Sequence, residues 1–132
     1  MTMFSINITA QEVKQYDWTK VINAIIQVES EGNPNAYNPN GDCAGILQIT
    51  PIVVKDANEY LKMKGINKHY TLRDRYNVEK SKEMFILIQE RYNPKNNVEE
   101  AIRIWNGGCG YSKAKTEKYY RRVLSHLNES YE

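Results

Sequence analysis

A helical repeat of apolar residues that breaks abruptly into a loop is the feature that most constrains how this chain folds. From Trp18 to about Glu31 the apolar residues recur at three- and four-residue spacing, which predicts a helix with one broad buried face. Asp17 is its expected N-cap. Residues 32–42 then contain two Pro, two Gly and four Asn, so the chain must continue as a loop with several turns.

The rest of the chain also favours helices. Ala44–Ile49 is short and apolar and predicts a helical turn that Pro51 interrupts or restarts. Asn97 is an expected cap, and Asn106–Gly110 predicts a tight turn because it has three Gly in five residues. The further helices predicted are Ile52–Met63, ended by Gly65, Val78–Tyr92, ended by Pro94, Val98–Trp105 and Thr116–Leu127, with a connector at His69–Asn77.

No alternating strand pattern or repeat interrupts this series, so the predicted fold class is mainly α. A length of 132 residues suits one domain with a substantial core. We expect a catalytic domain at residues 18–132, preceded by an N-terminal arm at residues 1–17 that has no firm apolar period.

Composition excludes several classes of function. A net charge of +2 with evenly mixed signs does not predict nucleic-acid binding, and no apolar run is long enough to insert into a membrane. Two Cys and two His lack metal-ligand spacing, so we expect neither a metal nor another cofactor, and we expect Cys43 and Cys109 to be thiols. Ten Tyr and two Trp suit sugar binding, although most should be structural.

Glu29 is the first candidate for chemistry, because it stands where the first predicted helix gives way to the loop. The helix carbonyls point towards such a position, and their partial negative charge disfavours a carboxylate. Apolar surroundings would raise the pKa further, as a general acid at neutral pH requires. The alternative is a solvated Glu at a helix end, and position alone favours that alternative.

The order of four short motifs favours Glu29 as a general acid over a solvated Glu at a helix end. They are Glu29-Ser30, then residues 45–48 (GILQ), then residues 105–108 (WNGG), then Thr116 with Tyr119 and Val123. The series resembles the lytic transglycosylases of the goose-type lysozyme-like fold, whose patterns are Glu-Ser, Gly-Leu-Met-Gln, Ala-Tyr-Asn-Ala-Gly and Thr-x-x-Tyr-Val-x-x-Val. The resemblance covers about residues 21–124. It also places Asp74 and Asn77 where the family often has a connector before its long central helix.

The resemblance implies a lysozyme-like helical fold with a loop-lined cleft for the glycan strands of peptidoglycan. It implies that Glu29 protonates the glycosidic oxygen between N-acetylmuramic acid and N-acetylglucosamine and later acts as a base. Ser30 would hold the surroundings of the acid, and Tyr119 would place its hydroxyl close to Glu29. The implied substrate-binding residues are Gly45 and Ile46 through their backbone, Gln48 and Asn106 through their side chains, and Trp105, where the family usually has Tyr.

Two reactions at this bond stay open. Most glycosidases need two carboxylates, whereas a lytic transglycosylase needs one, because the acetamido group of its substrate assists and the product is a 1,6-anhydro sugar. Goose-type lysozymes add Asp residues around the Gly-Leu-Met-Gln turn. Here Thr50 replaces the later one, and Asp42 is the remaining candidate for positioning water. The balance favours the transglycosylase over the lysozyme.

Other expectations concern the setting and the surface. A non-catalytic wall-binding module is a further alternative, which the presence of Glu29 disfavours. Residues 1–18 lack the basic start and apolar core of a signal peptide, so we expect a phage-borne, holin-released or trimmed secreted enzyme that acts on the cell wall as a monomer. Tyr37 and Tyr111 are candidates for stacking on sugars. The basic residues at the C-terminal end are expected to form a solvated helix face rather than a basic rim for the wall polymer: Lys113, Lys115, Lys118, Arg121 and Arg122.

Overall fold

The computed structural model describes residues 15–129, in which helices dominate. Of the predicted N-terminal arm, residues 1–14 lie outside the described residues. In chain order the described elements are α1 (Thr19–Glu29), β1 (Tyr37–Asn38), β2 (Cys43–Ala44), α2 (Pro51–Met63), a 3-10 helix (Leu72–Tyr76), α3 (Val78–Tyr92), α4 (Val98–Gly107) and α5 (Lys113–Glu129). The mainly helical fold class is therefore confirmed.

Side-chain caps fix where three of these helices begin. Asn77 caps α3 and Asn97 caps α4, each by accepting a backbone N–H three residues further on. Thr50 caps α2 in the same way, and Pro51 occupies the first position, where its missing N–H costs nothing. The cap predicted at Asn97 is confirmed, and so is the restart at Pro51.

Helix α1 carries the centre of the core. Ile25 is fully buried, and α1 packs against α5 and α4, which also pack against each other. Phe85 on α3 contacts Trp18 at one side and Trp105 on α4 at the other, with ring centroids 5.9 and 4.9 Å apart. This packing fixes the C-terminal end of α1, and therefore Glu29, against α5.

The expectation of a strand-free chain is wrong for one short ribbon. β1 and β2 pair antiparallel, with Tyr37 opposite Ala44 and Asn38 opposite Cys43. Strands of two residues are too short to show an alternating pattern, which is why the sequence did not predict them.

The helical turn predicted at Ala44–Ile49 is also wrong. Ala44 and Ile49 exchange two backbone hydrogen bonds of 3.0 and 2.9 Å, and the residues between them form a tight turn. Gly45 and Gln48 both adopt positive φ, of +84° and +52°, which a helix does not allow. The apolar run therefore closes on itself instead of starting a helix.

The predicted tight turn at Asn106–Gly110 starts later than expected. Helix α4 continues through Asn106 and Gly107, and the chain leaves it at Gly108, where φ is +84°. A Cβ on Gly107 would lie 2.8 Å from the Thr116 side chain and 2.9 Å from that of Tyr111. Close packing therefore explains this glycine, which the turn prediction had counted as a helix breaker.

Smaller differences concern helix ends. α1 ends at Glu29 rather than near Glu31, α5 begins at Lys113 rather than Thr116, and the connector before α3 contains the 3-10 helix. The Asp17 carboxylate accepts the N–H of Thr19 at 3.0 Å, so it caps α1 from one residue before the N-cap position. No helix in residues 15–129 is both long and apolar enough to cross a membrane.

Candidate active site

Glu29 is the last residue of α1, and its carboxylate faces α5. The Tyr119 hydroxyl donates a hydrogen bond of 2.7 Å to its Oε2 atom. Burial raises the pKa of Glu29 to about 7, although the Tyr119 hydrogen bond and the positive charge of Arg122 act in the opposite direction. The proximity expected of Tyr119 and Glu29 is present, and a carboxyl group with this pKa carries its proton at neutral pH about half of the time.

Tyr119 acts as a hydrogen-bond donor to Glu29. It lies on α5, between Thr116 and Val123, which are both buried. Burial and the nearby charge of Glu29 raise the pKa of its phenol well above 10, so the hydroxyl stays protonated. The contact joins residues 90 positions apart in the chain, and it therefore depends on the packing of α1 against α5.

Ser30 joins the end of α1 to the turn at residues 45–48. Its hydroxyl donates to the Ile46 carbonyl at 2.7 Å and accepts the N–H of Gly32 at 3.2 Å. Because Ser30 follows Glu29 directly, these bonds fix the backbone that carries the carboxyl group. This geometry fits the supporting role that the sequence suggested, which stays a prediction.

Gly45 is required by a close approach of two backbones. A Cβ here would lie 1.8 Å from the carbonyl oxygen of Arg75, and the residue has φ of +84°. Its N–H donates to the Ala36 carbonyl at 2.8 Å. The neighbouring Ile46 is buried, and its carbonyl is already occupied by Ser30. The predicted contribution of these backbone groups to a sugar groove is untested.

Gln48 uses its amide nitrogen within the loop. Nε2 donates to the Gly45 carbonyl at 3.0 Å and to the Ala36 carbonyl at 3.3 Å. Both N–H groups are thus engaged, which leaves Oε1 for a substrate. The predicted hydrogen bond to substrate therefore needs a substrate N–H or O–H as its donor.

Trp105 and Asn106 have different environments although they are adjacent on α4. The indole Nε1–H of Trp105 donates to the Leu47 carbonyl at 3.0 Å, so this half-buried ring braces the same turn. Asn106 is exposed, and its amide has no hydrogen-bond partner among residues 15–129. Of the two, Asn106 is the one free to meet a substrate.

Asp42 is not a free carboxylate. A guanidinium nitrogen of Arg75 donates to its Oδ1 at 3.3 Å and to its carbonyl at 2.7 Å. The same nitrogen of Arg75 reaches the Ile49 carbonyl at 3.0 Å, so it ties both ends of the turn together. Sequence reasoning missed Arg75, because a charged residue in a connector is usually solvated.

Asp74 and Asn77 have structural contacts. Asp74 completes a capping box at the start of the 3-10 helix and pairs with Lys80 at 3.3 Å, while Asn77 caps α3. Tyr37 is half exposed, and Tyr111 is half-buried beside Gly107. Neither tyrosine is tested as a sugar-stacking residue.

The two cysteines are free thiols, as expected. Burial raises the pKa of Cys43, and the negative charges of Glu29 and Asp42 raise it further. The Cys43 thiol therefore lies within the electrostatic influence of both carboxyl groups. Within the described residues, no group of three or more His, Cys, Asp or Glu side chains is arranged to hold a metal ion.

A surface cavity of about 790 Å³ lies elsewhere, along α2 and residues 66–72. None of the predicted site residues lines it. The surroundings of Glu29 are therefore separate from this cavity, and they are defined by the Tyr119 hydrogen bond and the packing of α1 against α5.

The mainly helical fold and a half-buried carboxyl group that accepts a hydrogen bond from a tyrosine are typical of a lysozyme-like glycosidase. Among protein families, residues 6–127 match the Transglycosylase SLT domain, so the chain belongs to this family. The match begins inside the predicted arm. The family comprises peptidoglycan lytic transglycosylases, and the chain is an enzyme of this class that acts on the peptidoglycan of the cell wall. A comparison with curated proteins found no significant match.

Proposed function

We propose that this enzyme cleaves the β-1,4 bond between N-acetylmuramic acid and N-acetylglucosamine, with Glu29 as general acid and base. The observation that carries the proposal is the Glu29–Tyr119 contact of 2.7 Å at a carboxyl group whose pKa is about 7. A group with this pKa gives up and takes back a proton readily near neutral pH.

In the first half of the proposed reaction, the protonated Glu29 donates its proton to the glycosidic oxygen. The bond from that oxygen to C1 of the muramoyl residue then breaks, and the acetamido group of the same residue stabilises the positive charge at C1. Tyr119 donates to the carboxylate that Glu29 has become. This hydrogen bond is stronger to the charged form, so it favours proton release.

In the second half, Glu29 accepts the proton of the 6-hydroxyl of the muramoyl residue, and O6 bonds to C1. The products are a 1,6-anhydromuramoyl end and a free 4-hydroxyl on N-acetylglucosamine. No water is consumed, and Glu29 regains its proton. One carboxyl group therefore suffices for the whole cycle.

The engagement of Asp42 supports this reaction over hydrolysis. A water-positioning carboxylate needs lone pairs that point towards the water, whereas Asp42 already accepts a hydrogen bond from Arg75 at its Oδ1 atom. Thr50 provides no carboxylate at the later position. Hydrolysis through Asp42 is the alternative outcome, and its side chain, 44% exposed, is open enough to test it.

For the remaining residues we propose supporting roles. Asn106 binds the substrate near the acetamido group, Gln48 binds through its Oε1 atom, and Ser30 keeps the acid in place. The backbone at Gly45 and Ile46 lines the sugar groove, and Trp105 presents the edge of its ring while it braces the turn.

We further propose that the enzyme works as a monomer and that, of the phage-borne, holin-released and trimmed secreted forms that the sequence leaves open, it is the holin-released one. Expression in the cytoplasm of a susceptible bacterium, with and without a co-expressed holin, tests this setting. Lysis that needs the holin supports it. Equally fast lysis without the holin contradicts it.

The main test is mass spectrometry of muropeptides released from purified peptidoglycan, with Glu29→Gln as the inactive control. Products lighter by one water than ordinary reducing-end muropeptides, and absent with the control, support the transglycosylase. Ordinary reducing ends that disappear in Asp42→Asn favour the lysozyme. No release by the intact enzyme, together with retained binding to walls, would favour the non-catalytic module.

A further inference from the structure

One face of α5 carries positive charge directly beside the candidate acid. Lys118 and Arg122 are four residues apart, and Arg122 follows Tyr119 by three, so these side chains share one side of the helix. Tyr119 bonds to Glu29, and the charge of Arg122 acts on both of these groups. Arg122 therefore faces the site where the bond is proposed to break.

These two cations have no ion-pair partner within residues 15–128. Lys118 and Arg122 are exposed, and the side chain of neither forms a hydrogen bond with another residue in that range. The adjacent Arg121 differs, because it points to another side of α5 and pairs with Glu117 at 2.6 Å. Only part of the basic C-terminal sequence is thus available to an anion beside the site.

The proposed substrate has anions where such a cation would meet them. The sugars of a glycan strand are neutral, and the acidic groups of peptidoglycan are carboxylates borne by the muramoyl residue. They belong either to its peptide stem or, where the peptide has been removed, to its lactyl group. Because Glu29 acts on the bond at C1 of that residue, its substituent must lie close to the acid.

We propose that Arg122, with Lys118, forms a carboxylate-binding subsite for the acidic substituent of the muramoyl residue at the cleavage point. This inference rests on the proposed function and adds to it the part of the substrate that α5 recognises. The planar fork of the Arg122 guanidinium suits a carboxylate, and Lys118 adds a second charge one helical turn away. The same two charges on a merely solvated face would bind no particular group.

The experiment measures KM and kcat on three wall preparations. Native walls carry stem carboxylates, chemically amidated walls carry none, and walls treated with an amidase carry the lactyl carboxylate in place of the stem. The variants are Arg122→Gln and Lys118→Gln, and Arg121→Gln is the matched control, because it removes another exposed charge, one that pairs with Glu117 on a different side of α5. Thermal unfolding of each variant verifies that it is folded.

On native walls we expect Arg122→Gln to raise KM about threefold to fivefold, the upper part of the range for one exposed ion pair. We expect Lys118→Gln to have a smaller effect and Arg121→Gln none, with kcat changed less than about twofold in each case because the pairing is uniform through the reaction. On amidated walls the four proteins should have equal KM. A difference that persists on amidase-treated walls shows that the subsite also accepts the lactyl carboxylate, and one that disappears shows that it requires the stem.

Three results would overturn the subsite: an unchanged KM for Arg122→Gln on native walls, an equal loss in Arg121→Gln, or a loss that persists on amidated walls. If the intact enzyme cleaves none of the walls, the proposed function fails. The carboxylate-binding subsite is then tested by co-sedimentation with native walls. Arg122→Gln should bind the walls more weakly than Arg121→Gln, and equal binding would refute the subsite.

Discussion

Removing the Tyr119 hydroxyl is the perturbation whose effect on Glu29 follows most directly from the structure. Tyr119→Phe keeps the ring and deletes the 2.7 Å hydrogen bond to Oε2. That bond stabilises the carboxylate and so lowers the pKa of Glu29, which burial has raised. Without it the pKa should rise above about 7, and the enzyme should stay protonated at higher pH.

The size of this change can be worked from the contact. A hydrogen bond to a charged group contributes roughly 1.5–3 kcal/mol, and one pKa unit corresponds to about 1.4 kcal/mol. The pKa of Glu29 should therefore rise by about one to two units. Because Glu29 must be protonated to act as an acid, the alkaline limb of the pH profile of kcat/KM should move upward by the same amount.

The assay is the initial rate of soluble fragment release from purified walls between about pH 5 and pH 9, as in any test of a single titrating acid. Tyr120→Phe is the matched control, since it removes a hydroxyl from the next residue of α5, which stacks on Arg103 instead of facing Glu29. The control should leave the limb in place. An alkaline limb that stays or moves downward in Tyr119→Phe would refute the assignment of this hydrogen bond.

Three further results are expected. In urea unfolding, the free energy of unfolding of Glu29→Gln minus that of the unmodified protein should be up to about 3 kcal/mol larger at about pH 8 than at about pH 4. The reason is that the raised pKa of Glu29 costs the unmodified protein stability as the pH rises from 4.5 through about 7, whereas Gln does not titrate; a difference that is the same at both pH values would contradict this. Asp42→Asn should keep at least about a third of the cleavage rate if it only braces the loop, whereas a loss of about a hundredfold would indicate a base. Gly45→Ala should lower the free energy of unfolding by about 2–4 kcal/mol in the same assay, and Gly65→Ala by about 1 kcal/mol. Both glycines have positive φ, but only at Gly45 would the added Cβ meet a backbone carbonyl, so equal losses would refute the role of that contact.

The helices were predictable because each buries one face, and burial leaves a three- and four-residue period in the sequence. The helix Val78–Tyr92 was predicted with the bounds that it has in the structure. Asn97 was predicted as a cap because Asn is a preferred residue type at that position. The β-ribbon was not predictable, because its two-residue strands are formed by turn geometry and not by a pattern of burial. Gly107 was misread because residue type does not show that the first turn of α5 folds back against the end of α4, where Thr116 leaves no room for a Cβ.

The composition of the candidate site was predictable, and the family resemblance also predicted that Tyr119 lies close to Glu29, but the other contacts were not predictable. Motif order indicated Glu29 and Tyr119, but no local pattern shows that a hydroxyl 90 residues away reaches the carboxylate. Arg75 would be placed at the surface by its charge, yet it is buried because backbone carbonyls satisfy its donors. Likewise, residue type alone does not show that the amide nitrogen of Gln48 turns inward to the loop.

The most direct test of the central claim is a titration of the Glu29 side-chain carboxyl carbon by NMR, with Glu29→Gln used to assign the signal. The claim is that burial against α5 keeps this carboxyl group protonated near neutral pH. The structure predicts a midpoint of about 7. A midpoint near 4.5, the ordinary value for a solvated Glu, would show that Glu29 is ionised throughout the neutral range and would remove it as the general acid.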